Sequence, residues 1–379
     1  MTDLLRQEIA AASDLLVVKV GTRVLTDDAG QLDLDRIAQL AEQLNRLIDS
    51  GRKVVLISSG AVGAGLGKLG RTTRPTNLAM LQAVAAVGQS FLVQAYDRAL
   101  QNHDRHAAQV LLTVEDFDDR TRYLNVRNTL LTLLELGAVP IINENDTVSV
   151  EELQTTFGDN DHLAALVTNL LRAPLLVLLS DVEGLYDGDP QDASAKIIPT
   201  VTTIDQQIDA LVCDTKTGHS KGGMASKLAA AKMVTAAGEN VVIASGRRPG
   251  VLDEIITGQT TGTLFLAQGK TISPRKRWIA FTVKPRGSLI VDAGARRAIE
   301  QNGRSLLAIG LREIQGQFTK GDVVAVCDTQ GAEFARGLTN YPSKEIERIK
   351  GLQSDQIADV LGHCPYEEVI HRDNLSLRT

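Results

Sequence analysis

Apolar residues fall into two alternating patterns along most of the chain. Short continuous runs at 15–20, 53–58, 138–143, 175–180 and 241–244 are dominated by aliphatic residues and bounded by polar or glycine-containing segments, which predicts strands covered on both faces. Between them, apolar positions recur at three- and four-residue spacing over 34–50, 77–100, 124–136, 162–171 and 224–237, which predicts helices. In the first of these, Leu34, Ile37, Leu40, Ala41, Leu44, Leu47 and Ile48 share a face, Asp33 stands where an N-cap is needed, and Gly51 follows the last turn. Strand and helix in alternation imply right-handed crossovers. The expected fold is α/β: an open, mainly parallel sheet with helices on both faces.

The pattern changes near residue 268. The cluster Pro274-Arg275-Lys276-Arg277 has no apolar period, so a catalytic domain is expected over 1–267 and a linker over 268–285. Beyond it, short runs at 288–291, 306–309, 323–327 and 334–338 are separated by Asn302-Gly303, Lys320-Gly321 and Gln330-Gly331. These predict a small β-rich domain over 286–365, followed by a tail, 366–379. Charge shifts at the same place, from net −10 over residues 1–267 to +4 over 268–379.

With 43% hydrophobic but only 3% aromatic residues, the core must rest on Leu, Val, Ile and Ala. Cys213, Cys327 and Cys364 are widely spaced and odd in number, which argues against a disulfide framework or a zinc site and fits a reducing compartment. The six histidines form no metal-ligand motif. No basic start precedes a long apolar run, and no stretch is read as long enough to cross a bilayer, so a cytoplasmic protein with no membrane partner is expected.

In an open parallel sheet, ligands bind beyond the carboxyl ends of the strands. The residues there are polar and glycine-rich: Lys19-Val20-Gly21-Thr22, Ser58-Ser59-Gly60-Ala61, Asn143-Glu144-Asn145-Asp146 and Ser180-Asp181. Glycines let backbone N–H groups approach an anion, and a following helix adds its positive end. Ordinary strand-to-helix turns would explain any one of them; their shared placement favours binding. Lys19 interrupts an apolar run and needs an anionic partner, either a salt bridge or, as its strand-end position favours, a phosphate. Lys227 ends the turn Lys221-Gly222-Gly223-Met224-Ala225-Ser226-Lys227. Gly158-Asp159-Asn160-Asp161 carries more carboxylate and amide than capping requires. Phosphoryl transfer between two anions requires positive charge, in-line positioning and Mg²⁺, and two lysines oriented by an aspartate suit it. The stretch 65–70 matches GxGxxG but does not follow the strand directly, and no GxxxxGK[ST] occurs.

Together the segments VVKVGTRVLT, ISSGAVGAG, VPIINENDTV, FGDNDHLAALV, SDVEGLYDGDP, GGMASKLAAA and ASGRRPGV resemble the amino acid kinase family, in its order and over nearly the whole chain. The run from Gly303 through Val324 resembles a PUA domain. The resemblance implies ATP-dependent phosphorylation of the side-chain carboxylate of L-glutamate, with Mg²⁺. By it, Lys19 and Lys227 stabilise the transferring phosphoryl group and Asp161 holds both lysines. Ser59, Asp146, Asp159 and Asn160 bind glutamate. Gly21 and Gly60 donate backbone N–H groups to the phosphoryl oxygens, and Ser180, Asp181 and residues 221–227 (Lys221, Gly222, Gly223, Met224, Ala225, Ser226, Lys227) hold ATP. It also implies inhibition by proline and assembly into a homo-oligomer, dimer or tetramer. A kinase for aspartate, acetylglutamate or carbamate is the nearest rival. An RNA-binding module ranks below it, since the positive excess of the second domain is small and its aromatics are few.

Overall fold

The structure, a computed structural model, describes residues 3–27, 30–148, 160–192, 194–213, 221–268 and 274–377. They divide into two compact units, Met1–Lys270 and Thr271–Thr379. In the first, β1 (Leu15–Val20), β2 (Lys53–Ser58), β3 (Ala107–Leu112), β4 (Val139–Glu144), β5 (Leu175–Ser180), β6 (Thr200–Val201), β7 (Asn240–Ser245) and β8 (Thr263–Phe265) form one sheet ordered β3-β4-β2-β1-β5-β7-β8-β6. The run from β3 to β7 is parallel throughout; β8 is antiparallel to β7 and parallel to β6. Each apolar run expected to be a strand is one. The central β1 is buried along its whole length, with Lys19 opposite Ile57 of β2 and Leu178 of β5.

The expected helices also form, with caps that explain their starts. Asp33 accepts from Arg36 N at 3.0 Å to open Leu34–Asp49, and Gly51 leaves it at φ +88°. Asn77 caps Leu78–Gln101 through Met80 N. Asp119 caps Arg120–Glu135, starting that helix before the apolar period becomes visible. Asn160–Leu171 and Lys221–Ala236 complete the set.

Several helices were not anticipated, and two of them show why. Leu4–Ala12 is pinned by the buried Arg6, whose guanidinium donates to Thr261 O at 2.7 Å, Pro199 O at 2.5 Å and Gly262 O at 3.1 Å, beside β6 and β8. Ala61–Lys68 holds Gly63, Gly65 and Gly67, poor helix formers, yet it is helical because it crosses Leu78–Gln101 backbone against backbone. A Cβ on Gly65 would lie 1.9 Å from Val84 O, and one on Gly88 would lie 1.8 Å from Ala61 O. The GxGxxG stretch therefore serves helix packing. Gly88→Ala should cost about 3 kcal/mol, the upper range for overpacking, measured by urea unfolding; a loss below about 1 kcal/mol would mean the crossing can open freely.

Leu78–Gln101 is long and apolar enough to cross a membrane by length and composition, contrary to the sequence expectation that no stretch is. In this fold it packs along the unit with Leu81, Val84, Leu92, Tyr96 and Leu100 buried.

In the second unit, β9 (Gly287–Val291), β10 (Leu311–Gly316), β11 (Val323–Cys327), β12 (Glu333–Leu338) and β13 (Leu375–Leu377) form a mixed sheet ordered β10-β9-β11-β12-β13. The span expected for this domain, 286–365, is too narrow. Strand β13 pairs with β12, and Val369 and Ile370 are in the core, so 366–377 is no tail. Within the expected linker, Trp278–Thr282 is a buried turn, and Arg336 donates to Ala280 O and Val283 O. The run 306–309 makes one bridge, Leu306 to Ile370, and then a 3₁₀ turn instead of a strand. Asn302-Gly303 ends the helix Ala293–Asn302, with Gly303 at φ +57°, where a hairpin was expected.

Candidate active site

The parallel order brings the carboxyl ends of β1, β2, β4 and β5 to one edge, and three charged side chains meet there. Lys19 Nζ lies 2.5 Å from Asp161 Oδ1, and Lys227 Nζ lies 3.1 Å from Asp161 Oδ2. The residues are 4%, 2% and 8% exposed for Lys19, Asp161 and Lys227. They come from β1, the start of Asn160–Leu171 and the second turn of Lys221–Ala236. Burial alone would raise the Asp161 pKa, but the charges and hydrogen bonds of both lysines hold its carboxyl below the usual aspartate range. Two ammonium groups and one carboxylate leave a net positive charge in a buried place, which favours a bound anion. Lys227 also donates to Gly223 O at 3.2 Å.

Beside this triad lies an amide and hydroxyl network. Asn160 Nδ2 donates to Ser59 Oγ at 2.8 Å and to Asn143 Oδ1 at 3.0 Å. Asn143 Nδ2 donates to Gln89 Oε1 at 2.8 Å. Asn160 Oδ1 is buried and has no hydrogen-bond partner among the described residues. Asp146 is buried just beyond β4; burial first, and Glu144 second, push its pKa to about 6 against a lowering pull from Arg74. The buried acceptor of Asn160 next to the Ser59 hydroxyl suits a ligand carrying an ammonium and a carboxylate.

The remaining expected residues are placed as follows. Gly60, at φ +103°, precedes the first turn of Ala61–Lys68, and its N–H has no acceptor among the described residues. Gly21 differs from expectation: its N–H donates to Leu179 O at 3.1 Å, so the sheet uses the donor assigned to phosphate. A Cβ there would stand at ordinary contact distance, 3.8 Å, from Lys19 Nζ. Ser180 Oγ is 3.0 Å from Asp181 Oδ1, and Asp181 pairs with Arg23 at 3.0 Å. Burial opposes ionisation of Asp181, yet the bonds from Arg23 and Ser180 hold its pKa low. Lys221, Gly222, Gly223, Met224, Ala225 and Ser226 form the opening turns of their helix. Asp159 lies outside the described residues.

Sequence reasoning missed Gln89 and Arg23 as parts of this site, and named Asn143 at its strand end without giving it a role. For Gln89 a signal existed: it is a large polar residue among the buried positions Val84, Ala85, Gly88 and Leu92 of one helix face.

Residues 14–245 match the amino acid kinase family and residues 287–361 match the PUA domain. The chain is 50% identical over 374 residues to the glutamate 5-kinase of Rhodopirellula baltica, covering 99% of this chain and 96% of that protein. It is 46% identical over 374 residues to that of Citrifermentans bemidjiense, covering 98% and 100%. It is 47% identical over 361 residues to that of Caldanaerobacter subterraneus, covering 95% and 96%.

Proposed function

The chain belongs to the amino acid kinase family, and on that premise we propose that it transfers the γ-phosphoryl group of ATP to the side-chain carboxylate of L-glutamate, giving L-glutamyl 5-phosphate for proline biosynthesis. The observation that carries the reading is the buried Lys19–Asp161–Lys227 triad beside acceptors suited to an amino acid. The acceptor carboxylate is already a nucleophile, so the protein needs only to align it and neutralise the group in transfer. In this proposal Lys19 and Lys227 contact the equatorial oxygens while Asp161 fixes their positions. The free N–H of Gly60 and the positive end of the helix Ala61–Lys68 add to that field. Ser59, Asp146, Asp159 and Asn160 hold glutamate. Ser180, Asp181 and the opening of Lys221–Ala236 hold the nucleotide. Mg²⁺ would bind the nucleotide's phosphates together with water and one or two carboxylates, its usual mode in kinase sites; among the described residues no three His, Cys, Asp or Glu side chains cluster as ligands.

Proline as an inhibitor, a dimeric or tetrameric assembly and a cytoplasmic location are carried by the family likeness alone. RNA binding by the second unit ranks below catalysis and is supported only by the PUA match and the local positive excess. Retention of structured RNA on a filter that weakens with salt would revive it.

The direct test is ATP turnover with hydroxylamine as trap, since acyl phosphates yield hydroxamates. Glutamate should give hydroxamate, while aspartate, N-acetylglutamate and carbamate should not; another acid at equal rate would overturn the assignment.

Asp146 gives a pH prediction. With its pKa near 6, it loses the charge that would hold the substrate ammonium as pH falls below 6, so KM for glutamate should rise about tenfold per pH unit there. Its folded pKa is raised, so its contribution to stability is present below the ordinary aspartate pKa and is lost as pH rises through 6. Asp146→Asn should therefore raise both KM and Tm at pH 8. A fall in Tm would refute the raised pKa.

A further inference from the structure

We infer that Gln89 is a positioning residue that holds the hydrogen-bond polarity of the amino-acid site by accepting from Asn143. This rests on the assignment of Ser59 and Asn160 to substrate. An amide side chain has one accepting and one donating end, and a chain of them has a direction. Gln89 Oε1 accepts from Asn143 Nδ2 at 2.8 Å, which turns Asn143 Oδ1 toward Glu144 N at 2.9 Å and Asn160 Nδ2 at 3.0 Å. Asn160 Nδ2 thus has both hydrogens engaged, one on Asn143 and one on Ser59 Oγ.

Two consequences follow in the site. Asn160 Oδ1 is left as a buried acceptor, the end an ammonium requires. Ser59 Oγ, already accepting, keeps its own hydrogen to donate, the end a carboxylate requires. Were the Asn143 amide reversed, its NH₂ would face the Glu144 N–H and the Asn160 NH₂, and relieving that clash would turn Asn160 and present a donor to the ammonium. The Glu144 N–H, which can only donate, fixes the direction at one end of Asn143, and Gln89 Oε1 satisfies the Asn143 NH₂ at the other; Gln89 Nε2 is itself buried with no hydrogen-bond partner among the described residues. Gln89 is 6% exposed, so water has little access to replace it.

The test is Gln89→Met, which conserves volume and removes the acceptor, assayed with the acid that the unaltered enzyme phosphorylates. KM for that acid should rise about tenfold, as expected for one buried hydrogen bond. KM for ATP should stay near its original value, a split that a loosened fold would not give, while Tm should fall by a few degrees because the buried Asn143 NH₂ loses its acceptor. In an Asn143→Ala background the same change should add less than about twofold, because the two residues act as one unit. An unchanged acid KM, equal rises in both KM values, or effects that multiply in the double variant would each overturn the inference. Absence of any phosphorylated acid with the unaltered enzyme would instead sink the assignment of the reaction.

Discussion

Asp161→Asn should reduce kcat by about a thousandfold or more and lower stability by about 3–5 kcal/mol, the range for removing one partner of a buried ion pair. Both effects have one origin. The carboxylate faces two ammonium groups through its two oxygens, and an amide can neither balance their charge nor accept from both through equivalent atoms. Freed, the lysines repel each other and leave the positions in which they meet the phosphoryl group. The folded pKa of Asp161 is depressed, so its contribution to stability is full above the ordinary aspartate pKa and is lost as pH falls through the folded value. Urea unfolding of the two proteins should therefore differ at pH 7 and converge in acid. Near-normal stability at pH 7 would contradict the buried triad, and near-normal kcat would contradict its role.

Lys227→Ala should lower kcat by about a thousandfold, equivalent to about 4 kcal/mol of transition-state stabilisation, while binding of glutamate changes little. The separation is expected because Lys227 meets Asp161 through the oxygen that Lys19 does not use. Its loss leaves the Lys19–Asp161 pair intact and the network of Ser59, Asn160 and Asn143 untouched. What disappears is the net positive charge, which matters most when charge spreads over the transferring group. Single-turnover kinetics with glutamate titration would distinguish this from a binding defect. A large rise in glutamate KM with unchanged kcat would reassign the residue.

Lys19 and Asp161 were legible as candidates in the sequence, for a shared reason. An ionisable residue inside an aliphatic strand, or several at one helix start, conflicts with its local surroundings, and conflicts of this kind mark function. The five strands at the centre were legible because burial on both faces leaves continuous apolar runs. Strand β3 was not: it lies at the sheet edge, only half-buried, and its sequence Ala-Ala-Gln-Val-Leu-Leu shows neither alternation nor a fully apolar run. The helix Ala61–Lys68 was hidden by its glycines, which reduce helix propensity but permit the crossing with Leu78–Gln101. Gln89 escaped because its role concerns which end of an amide faces which neighbour, and that is decided by residues distant in sequence. Gly21 shows the same limit: a glycine after a strand announces close approach, and here its N–H donates to the neighbouring strand.

Arg6 lies 193 residues from one of its carbonyl acceptors and 256 from another. Contacts so far apart along a chain carry a loop-closure penalty until the intervening chain is ordered. The short helix that carries Arg6 must therefore dock late, after the 199–262 region has taken shape, and acts as a latch on an assembled sheet rather than a seed for it. A chain lacking that helix should still collapse and pair its central strands at an unchanged rate, and should differ chiefly in how fast the finished unit comes apart.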